Sequence, residues 1–221
     1  MSAIIPALII SDDNHSNDFE ELKSEFEKLR PFLGEFGGWM QIDITDGVFV
    51  PEKTVVNPED LKYFTERGNV EFHLMISRPE ETVGEWARLK PQRIIVHIEA
   101  VENMEEILDV CRENEVQIGL ALNPETPNAM VEPWIGAVDT IVYLGVHPGR
   151  GGQKLIPEVL GKIRSLRRDI PDVKIEIDGG VNVSNIIELK NAGADYFVVG
   201  SGILKSSDIG AAIAELKNKI V

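Results

Sequence analysis

Short apolar runs rich in β-branched residues alternate with longer segments of helical periodicity, and this alternation most limits the folds that the chain can adopt. The eight apolar runs are AIIPALII, GWMQID, VEFHLMI, RIIVHIE, QIGLAL, TIVYLGV, VKIEID and YFVVG. Eight candidate helices, several with start signals such as Asn57-Pro58, lie at 17–33, 58–67, 79–89, 103–114, 127–133, 157–169, 182–191 and 208–220. This order predicts parallel strands that are joined by crossover helices.

Eight strand-helix units favour a closed barrel over the alternative, a doubly wound open sheet. A doubly wound sheet usually has fewer strands and carries its phosphate-binding glycines at the first turn. The chain has 221 residues, of which 43% are hydrophobic, so it can bury a substantial core, and no low-complexity linker interrupts the pattern. The sequence therefore predicts one domain, residues 1–221, with the α/β fold of a single (β/α)8 TIM barrel.

The charge balance and the cysteine content exclude several classes of protein. Lys and Arg number 22 against 37 Asp and Glu, a formal net charge of −15, which disfavours nucleic acid or an anionic membrane as a partner. The apolar start SAIIPALII is short and lacks a basic leader, so we expect neither export nor membrane insertion but a cytoplasmic protein. Cys111 is the only cysteine, and we expect it to be a packed helix residue.

Polar residues stand where the predicted strands end. In a parallel barrel the active site lies at the carboxyl ends of the strands. Alternation sends Gln41 and Asp43 of the second run into the barrel, and it does the same for His73 and Met75 of the third run. The other polar residues at strand ends are His97, Asn123, His147 and Asp178. These side chains are predicted to face a common mouth.

Asp43 and Asp178 are the candidate catalytic residues, because each closes an apolar run and opens a glycine-containing turn, QIDITDG and IEIDGG. Removal of a proton next to a carbonyl leaves an enediolate, and a second group can return the proton from the opposite face. We expect the two carboxylates to come from roughly opposite sides of the ring. A closed pocket and a neighbouring like charge would each favour their protonated forms.

Glycine-rich turns predict a phosphate site close to Asp178. The sequence that follows this residue indicates a Gly-Gly turn, a helix, a strand and a Gly-Ser turn, so that backbone amides converge on one place. The loop 146–153 reads as a lid, in which Arg150 either supplies local positive charge or is solvated. The candidate substrate or phosphate ligands are His73, Gly149, Gly151, Gly152, Gly179, Gly180, Gly200 and Ser201.

Six segments occur in an order that is typical of one enzyme family: IDITDGVFVP, HLMISRPE, HIEA, LNPETP, VHPGRGGQKLIPEVLGKIRSLR, and IDGGVN with AGADYFVVGSGI. In these segments, from Ile5 to about Leu204, the chain resembles the ribulose-phosphate 3-epimerases. The resemblance implies a barrel isomerase of the pentose phosphate pathway that interconverts D-ribulose 5-phosphate and D-xylulose 5-phosphate, with Asp43 and Asp178 as acid and base. It also implies a phosphosugar substrate and a homo-oligomer.

The resemblance further implies a divalent metal, Zn, Fe, Mn or Mg, held by two histidines and the same two aspartates. Asp43, His73 and Asp178 match this ligand set, whereas Gln41 stands in place of the first histidine. A carboxamide oxygen is a poor zinc donor but an acceptable ligand for harder cations such as Mg²⁺ or Mn²⁺. Either the site keeps a metal with altered selectivity, or Gln41 donates a hydrogen bond to the enediolate oxygen instead.

Other departures from the family pattern surround the same pocket. Ala7 replaces a serine, and Thr45 and Leu144 replace two methionines. The sequence thus leaves open an epimerase of a related ketose phosphate, or a non-catalytic phosphosugar-binding barrel. A decarboxylase of the same superfamily would carry the pattern D-x-K-x-x-D at a strand end, but the third run ends in His-Leu-Met.

Overall fold

The computed structural model describes residues 2–8, 10, 18–149 and 152–220, and it shows a closed barrel of eight parallel strands. The strands are β1 (Ala3–Leu8), β2 (Trp39–Thr45), β3 (Asn69–Met75), β4 (Arg93–His97), β5 (Gln117–Leu122), β6 (Thr140–Leu144), β7 (Ile175–Asp178) and β8 (Tyr196–Val199). Strand β1 pairs with both β2 and β8 and so closes the ring. The prediction of a single (β/α)8 barrel with these eight strands is confirmed.

Helices connect the strands and cover the outside of the barrel. The α-helices are α1 (Asp18–Leu29), α2 (Lys62–Thr65), α3 (Val83–Ala87), α4 (Met104–Glu113), α5 (Glu158–Asp169), α6 (Ile186–Ala192), α7 (Ser201–Leu204) and α8 (Ile209–Ile220). Short 3-10 segments lie at Arg30–Phe36, Pro58–Leu61, Pro79–Glu81, Asn128–Met130 and Glu132–Trp134. Asn57 caps the segment that begins at Pro58, because its side chain accepts a hydrogen bond from the Glu59 amide.

The connection between β5 and β6 differs from the sequence prediction. The periodicity predicts a helix over 127–133, whereas the structure has only the two 3-10 turns Asn128–Met130 and Glu132–Trp134. Proline has no N–H to donate, and its ring clashes with the preceding turn of an α-helix. Pro133 would interrupt an α-helix in this segment, so the prediction of a continuous helix is wrong here.

Alternation along the strands separates an outer apolar layer from a barrel interior that contains both apolar and polar side chains. Ile42 and Phe72 are buried on the outer face, and the Phe72 ring meets that of Trp86 in α3 edge-on at 6.0 Å. Burial of a side chain of this size contributes about 1.5–3 kcal/mol. Gln41 and His73 lie on the opposite face and contact residues across the barrel, as the alternation predicts.

Two further sequence expectations can be compared with the structure. Within the described ranges no helix is long and apolar enough to cross a membrane. Cys111 is buried on α4, and burial raises the pKa of its thiol to about 12, so the side chain stays protonated at neutral pH. This agrees with the expectation of a packed helix residue.

Candidate active site

A cavity of about 570 Å³ opens at the carboxyl ends of the strands. Asp43 near the end of β2 and Asp178 at the end of β7 both line it. The two strands are three positions apart in the ring of eight, separated by β1 and β8, so they lie on roughly opposite sides, as expected. The side chain of Asp43 is 40% exposed and that of Asp178 is 13% exposed, so both carboxylates can meet a small molecule.

Gln41 joins the two carboxylates from below. Its side-chain Nε2 donates to Asp43 Oδ1 at 2.8 Å and to Asp178 Oδ2 at 2.9 Å. A primary amide nitrogen carries two hydrogens, and here each of them is directed at a carboxylate. Both amide hydrogens of Gln41 are therefore already used, and neither is free to donate to an enediolate oxygen as hypothesised.

His73 lies beneath the cavity and connects Asp178 to a second histidine. Its Nδ1 is 2.9 Å from Asp178 Oδ2 and 3.5 Å from Asp43 Oδ1, and its Nε2 is 2.9 Å from His97 Nε2. The planes of the two rings differ by only 8°, and their centroids are 5.0 Å apart. Because the two Nε2 atoms are also in contact, the rings lie edge to edge in nearly one plane. His97 Nδ1 in turn is 3.4 Å from Glu99 Oε2.

These contacts set the protonation of the site. Burial alone would lower the pKa of His73, but the hydrogen bonds to Asp178 and Asp43 outweigh it and raise the pKa to about 10. Burial lowers the pKa of His97 to about 4, so its ring is neutral and can accept from His73. The chain of contacts therefore places a cationic imidazole directly against Asp178.

At Asp178 the expected preference of a closed pocket for the protonated form is present but is outweighed by other interactions. Burial works to raise the pKa of this carboxyl, but the hydrogen bond and positive charge of His73 and the amide of Gln41 oppose it, and the pKa is lowered. Asp178 is accordingly ionised at neutral pH. Burial and like charge can be anticipated from the sequence, but the neighbouring hydrogen-bond donors are what lower the pKa of Asp178.

The loop after β2 is held over the cavity by Asp46. Its carboxylate accepts hydrogen bonds from the backbone amides of Val48, Phe49 and Ser77, each at 2.8 Å. Burial would raise the pKa of Asp46, but these amides outweigh it and lower the pKa. The ring of Phe49 then packs 4.7 Å from that of His97 and covers the histidine pair.

Glycine turns form one side of the cavity. All the described glycine and serine candidates for phosphate binding line it: Gly149, Gly152, Gly179, Gly180, Gly200 and Ser201. Gly180 has a φ of +72°, and a Cβ atom there would stand 2.6 Å from the Leu155 amide nitrogen. A side chain at this position would therefore be strained and would also crowd the turn. Gly151 and Arg150 lie outside the described residues.

Three lysines line the same cavity and were missed in the sequence reading. They are Lys53, Lys154 and Lys205. Lys154 and Lys205 each follow a glycine of the cavity wall within three residues, and that proximity was the available signal, which Lys53 lacks. The three lysines add positive charge to a cavity wall that also carries four carboxylates, a contribution that the sequence predicted only for Arg150.

His147 and His73 occupy different environments. The side chain of His147 is 63% exposed, and its Nδ1 is 3.3 Å from Glu125 Oε1, outside the group around the aspartates. His73 is fully buried, contacts Asp178 and does not line the cavity, so its direct contact with a substrate stays a prediction. His73 is the partner of Asp43 in the register of β2 and β3, so both side chains are on the inner face of the barrel, as the alternation predicts.

Asp43, His73 and Asp178 could also hold a metal ion. One ligand atom from each lies within 4.8 Å of the other two, and a donor set of two carboxylates and one imidazole suits divalent cations. Gln41 Oε1 is a buried oxygen with no hydrogen-bond partner among the described residues, and turning the amide over would present it as a fourth donor. The residues therefore fit a metal, although the amide nitrogen of Gln41 now lies against both carboxylates.

Comparison with known proteins agrees with this geometry. The model of the "Ribulose-phosphate 3 epimerase family" matches residues 10–204. The chain belongs to this family. The prediction of an isomerase acting on carbohydrate phosphates is confirmed at the level of the family.

Relatives in the epimerase family match along nearly their whole length. The chain is 35% identical to ribulose-phosphate 3-epimerase of Escherichia coli strain K12 over 212 residues, which cover 93% of this chain and 92% of the relative. It is 30% identical to the Schizosaccharomyces pombe enzyme over 210 residues, covering 93% and 91%. The cytoplasmic isoform of Oryza sativa subsp. japonica is 32% identical over 211 residues, again covering 93% and 91%.

Solved structures of other enzymes share the fold. KGPDC from Streptococcus mutans aligns with a TM-score of 0.71 at 12% identity, covering 100% of this chain and 97% of the other. A 3-hexulose-6-phosphate synthase aligns with a TM-score of 0.70 at 14% identity, covering 99% and 100%. At this level of identity the likeness supports the barrel fold only.

Proposed function

We propose that this chain is a ribulose-phosphate 3-epimerase that interconverts D-ribulose 5-phosphate and D-xylulose 5-phosphate. The observation that carries the proposal is the pair Asp43 and Asp178 in a cavity of about 570 Å³ whose wall includes the turns at Gly179 and Gly200. Membership of the family and the relatives' printed names support this reaction. The chain acts as one domain over residues 1–221, and we expect a homo-oligomer in the cytoplasm.

The two carboxylates act in turn on carbon 3 of the ketose. Asp178, which His73 keeps ionised, removes the carbon 3 proton and leaves an enediolate over carbons 2 and 3. Asp43, the more exposed of the pair, takes up a proton from solvent in the cavity and delivers it to the opposite face of the same carbon. The configuration at carbon 3 is then inverted, and the two residues exchange roles in the reverse direction.

The residues beneath the cavity hold this pair in place. Gln41 fixes the separation of the carboxylates, and His73 orients Asp178 through its Nδ1. His97 accepts from His73 and fixes the ring. A group held by several hydrogen bonds loses little freedom on reaching the reactive geometry, and this lowers the barrier. His73 and His97 are therefore positioning residues.

The phosphate group of the substrate binds at the glycine turns. The backbone amides of Gly179, Gly180, Gly200 and Ser201 line the cavity beside Asp178, and Lys205 lines the same region. A phosphate anchored there would leave the carbonyl end of a five-carbon sugar close to the aspartates. Gly149 and Gly152 in the loop after β6 belong to the same wall.

A divalent ion, where bound, would be held by Asp43, His73 and Asp178. Such an ion would stabilise negative charge on the enediolate oxygens. Which metal this chain takes is part of the proposal to be tested.

A coupled assay for D-xylulose 5-phosphate formation from D-ribulose 5-phosphate tests the function. The wild-type protein should convert the substrate, and Asp43→Asn and Asp178→Asn should each abolish turnover while circular dichroism shows an intact barrel. Conversion of another ketose phosphate alone would instead support the related substrate that Ala7 and Thr45 in the cavity wall allow. Binding of the sugar phosphate with no conversion would support a non-catalytic barrel.

A further inference from the structure

The side-chain amide of Gln41 lies inside the group that could hold a metal. Its Nε2 is 2.8 Å from Asp43 Oδ1, 2.9 Å from Asp178 Oδ2 and 3.5 Å from His73 Nδ1, the atoms that would face an ion. The residue is fully buried at the barrel interior. The amide nitrogen thus contacts the same oxygens that a cation would need.

Electrostatics fixes the orientation of this amide when no cation is present. The nitrogen offers two hydrogens to two carboxylates, whereas the reverse orientation would place the carbonyl oxygen against the same anionic oxygens. Oε1 points away and is buried with no hydrogen-bond partner within the described residues. An unpaired buried carbonyl is unfavourable, so the gain from the two donated hydrogen bonds must exceed that penalty.

An ion cannot enter this group without disturbing Gln41. An amide nitrogen that bears two hydrogens offers no lone pair to a metal. The side chain must therefore turn over or move aside, and both hydrogen bonds to the carboxylates are then lost. Each hydrogen bond to a charged acceptor corresponds to about tenfold or more in an equilibrium constant.

We propose that Gln41 competes with divalent ions for Asp43 and Asp178, and that it bridges the two carboxylates so that the site is organised without a bound metal. The inference deepens the proposed function, since it concerns the same acid/base pair. The competition itself is a binding property of the protein. It can therefore be tested whether or not the substrate is turned over.

The test compares Mn²⁺ binding by the EDTA-treated wild type and the variant Gln41→Met, measured by isothermal titration calorimetry. Methionine keeps the length and volume of glutamine but removes both donors, and its thioether is a weak partner for a hard ion. We expect the variant to bind Mn²⁺ at least about tenfold more tightly, because its carboxylates have lost the amide hydrogens. Gln117→Met, the same change at the start of β5, is the matched control and should bind like the wild type.

Equal or weaker Mn²⁺ binding by Gln41→Met would overturn the proposal, because it would mean that the amide does not hinder the ion or that its oxygen is a ligand. If Gln41→Met fails to fold, Gln41→Asn serves the same comparison, since the shorter amide cannot bridge both carboxylates. The melting temperature gives a second readout. Added Mn²⁺ should raise it more in the variant than in the wild type, and an equal rise would contradict the competition.

Turnover measurements separate this inference from the proposed function. An EDTA-treated wild type that still converts D-ribulose 5-phosphate supports both. A protein that shows no conversion of the sugar but the expected order of Mn²⁺ affinities would refute the epimerase while leaving the competition intact. Conversion that requires Mn²⁺, together with tighter binding by the wild type than by Gln41→Met, would refute the competition and keep the epimerase.

Discussion

The barrel interior contains two buried groups of charged and polar side chains, one above the other, and they differ in the partners of their carboxylates. The upper group, Gln41, Asp43, His73 and Asp178, lies beneath the cavity. The lower group, Glu71, Arg93 and Glu176, lies closer to the amino ends of the strands. Glu71 and Glu176 each precede a member of the upper group by two residues on β3 and β7, so both groups face the same interior.

The two carboxylates of the lower group are paired with a guanidinium, which is permanently charged. Arg93 Nη1 is 3.0 Å from Glu71 Oε2 and 2.7 Å from Glu176 Oε2, and all three side chains are at most 3% exposed. The guanidinium also lies 4.8 Å from the Trp39 ring and 5.4 Å from the Tyr196 ring. Burial and the charge of Glu176 raise the pKa of Glu71, yet Arg93 itself cannot release a proton.

The upper group has partners that can exchange protons or turn over. Its carboxylates face an imidazole and a neutral amide instead of a guanidinium, and they are partly exposed to the cavity. Carboxylates that are paired with arginine in a buried interior serve the fold. Carboxylates that are hydrogen-bonded to histidine and glutamine beside a cavity remain available to a reactant. The residue that pairs with each carboxylate therefore distinguishes a structural group from a group that can take part in chemistry.

The largest expected difference between the groups is in turnover. Asp178→Asn should lower kcat by about 10²–10⁴-fold, because an amide cannot accept the carbon 3 proton. Glu176→Gln, on the same strand but in the lower group, is the matched control and should leave kcat of the folded protein unchanged. Stopped assays of D-xylulose 5-phosphate formation would measure both. Similar losses in the two variants would remove the distinction.

The second difference is in stability. Arg93→Met leaves two buried carboxylates without their cation, so we expect the free energy of unfolding to fall by about 3–5 kcal/mol in urea titrations. Adding Glu71→Gln and Glu176→Gln to this variant removes the stranded charges and should recover most of the loss. If the triple variant were as unstable as Arg93→Met, the lower group would be stabilised by something other than charge pairing.

The third difference concerns pH. The pKa of His73 is raised from 6.5 to about 10 in the folded protein, so its ion pairs contribute fully below pH 6.5 and are lost as the pH rises towards 10. The stability advantage of the wild type over His73→Gln, measured by urea unfolding, should therefore decline between pH 6.5 and 10. An advantage that stays constant over this window would contradict a cationic His73.

The smallest effect is expected at the exposed rim of the cavity. Lys205→Ala removes one cation beside the phosphate turns, and solvent-screened pairs are worth about 0.2–1 kcal/mol, so KM should rise by about two- to fivefold with kcat unchanged. The rise should shrink at high salt. Lys219→Ala, at an exposed position on α8, should have no effect on KM. A change in kcat at Lys205 would place this residue closer to the chemistry than its position indicates.

The fold could be predicted almost entirely from periodicity, because eight β-rich runs and the helical segments between them each carry a local signal. The exception was 127–133, where prolines overrode the apolar pattern. The grouping of Gln41, Asp43, His73 and Asp178 followed from two rules, alternation along a strand and the carboxyl-end site of parallel barrels. These rules place residues on a face and at an end of the barrel.

The electrostatics of the site could not be predicted in the same way. The lowered pKa of Asp178 depends on a 2.9 Å contact with His73 from another strand, and such distances are set by the register and tilt of the closed ring. The link from His73 to His97 and Glu99 was likewise missed, although His97 and Glu99 at the end of β4 repeat the spacing of Gln41 and Asp43. Periodicity identifies the face on which a side chain lies but not its partners.

The most direct test of the account is to incubate D-ribulose 5-phosphate with the wild-type protein in D₂O, first after EDTA treatment and then with Mn²⁺, and to follow carbon 3 by NMR. If Asp43 and Asp178 pass protons to opposite faces, D-xylulose 5-phosphate should appear with solvent deuterium at carbon 3, already in the EDTA-treated sample. Product that retains its original hydrogen at carbon 3, or no product with or without Mn²⁺, would contradict the two-aspartate mechanism.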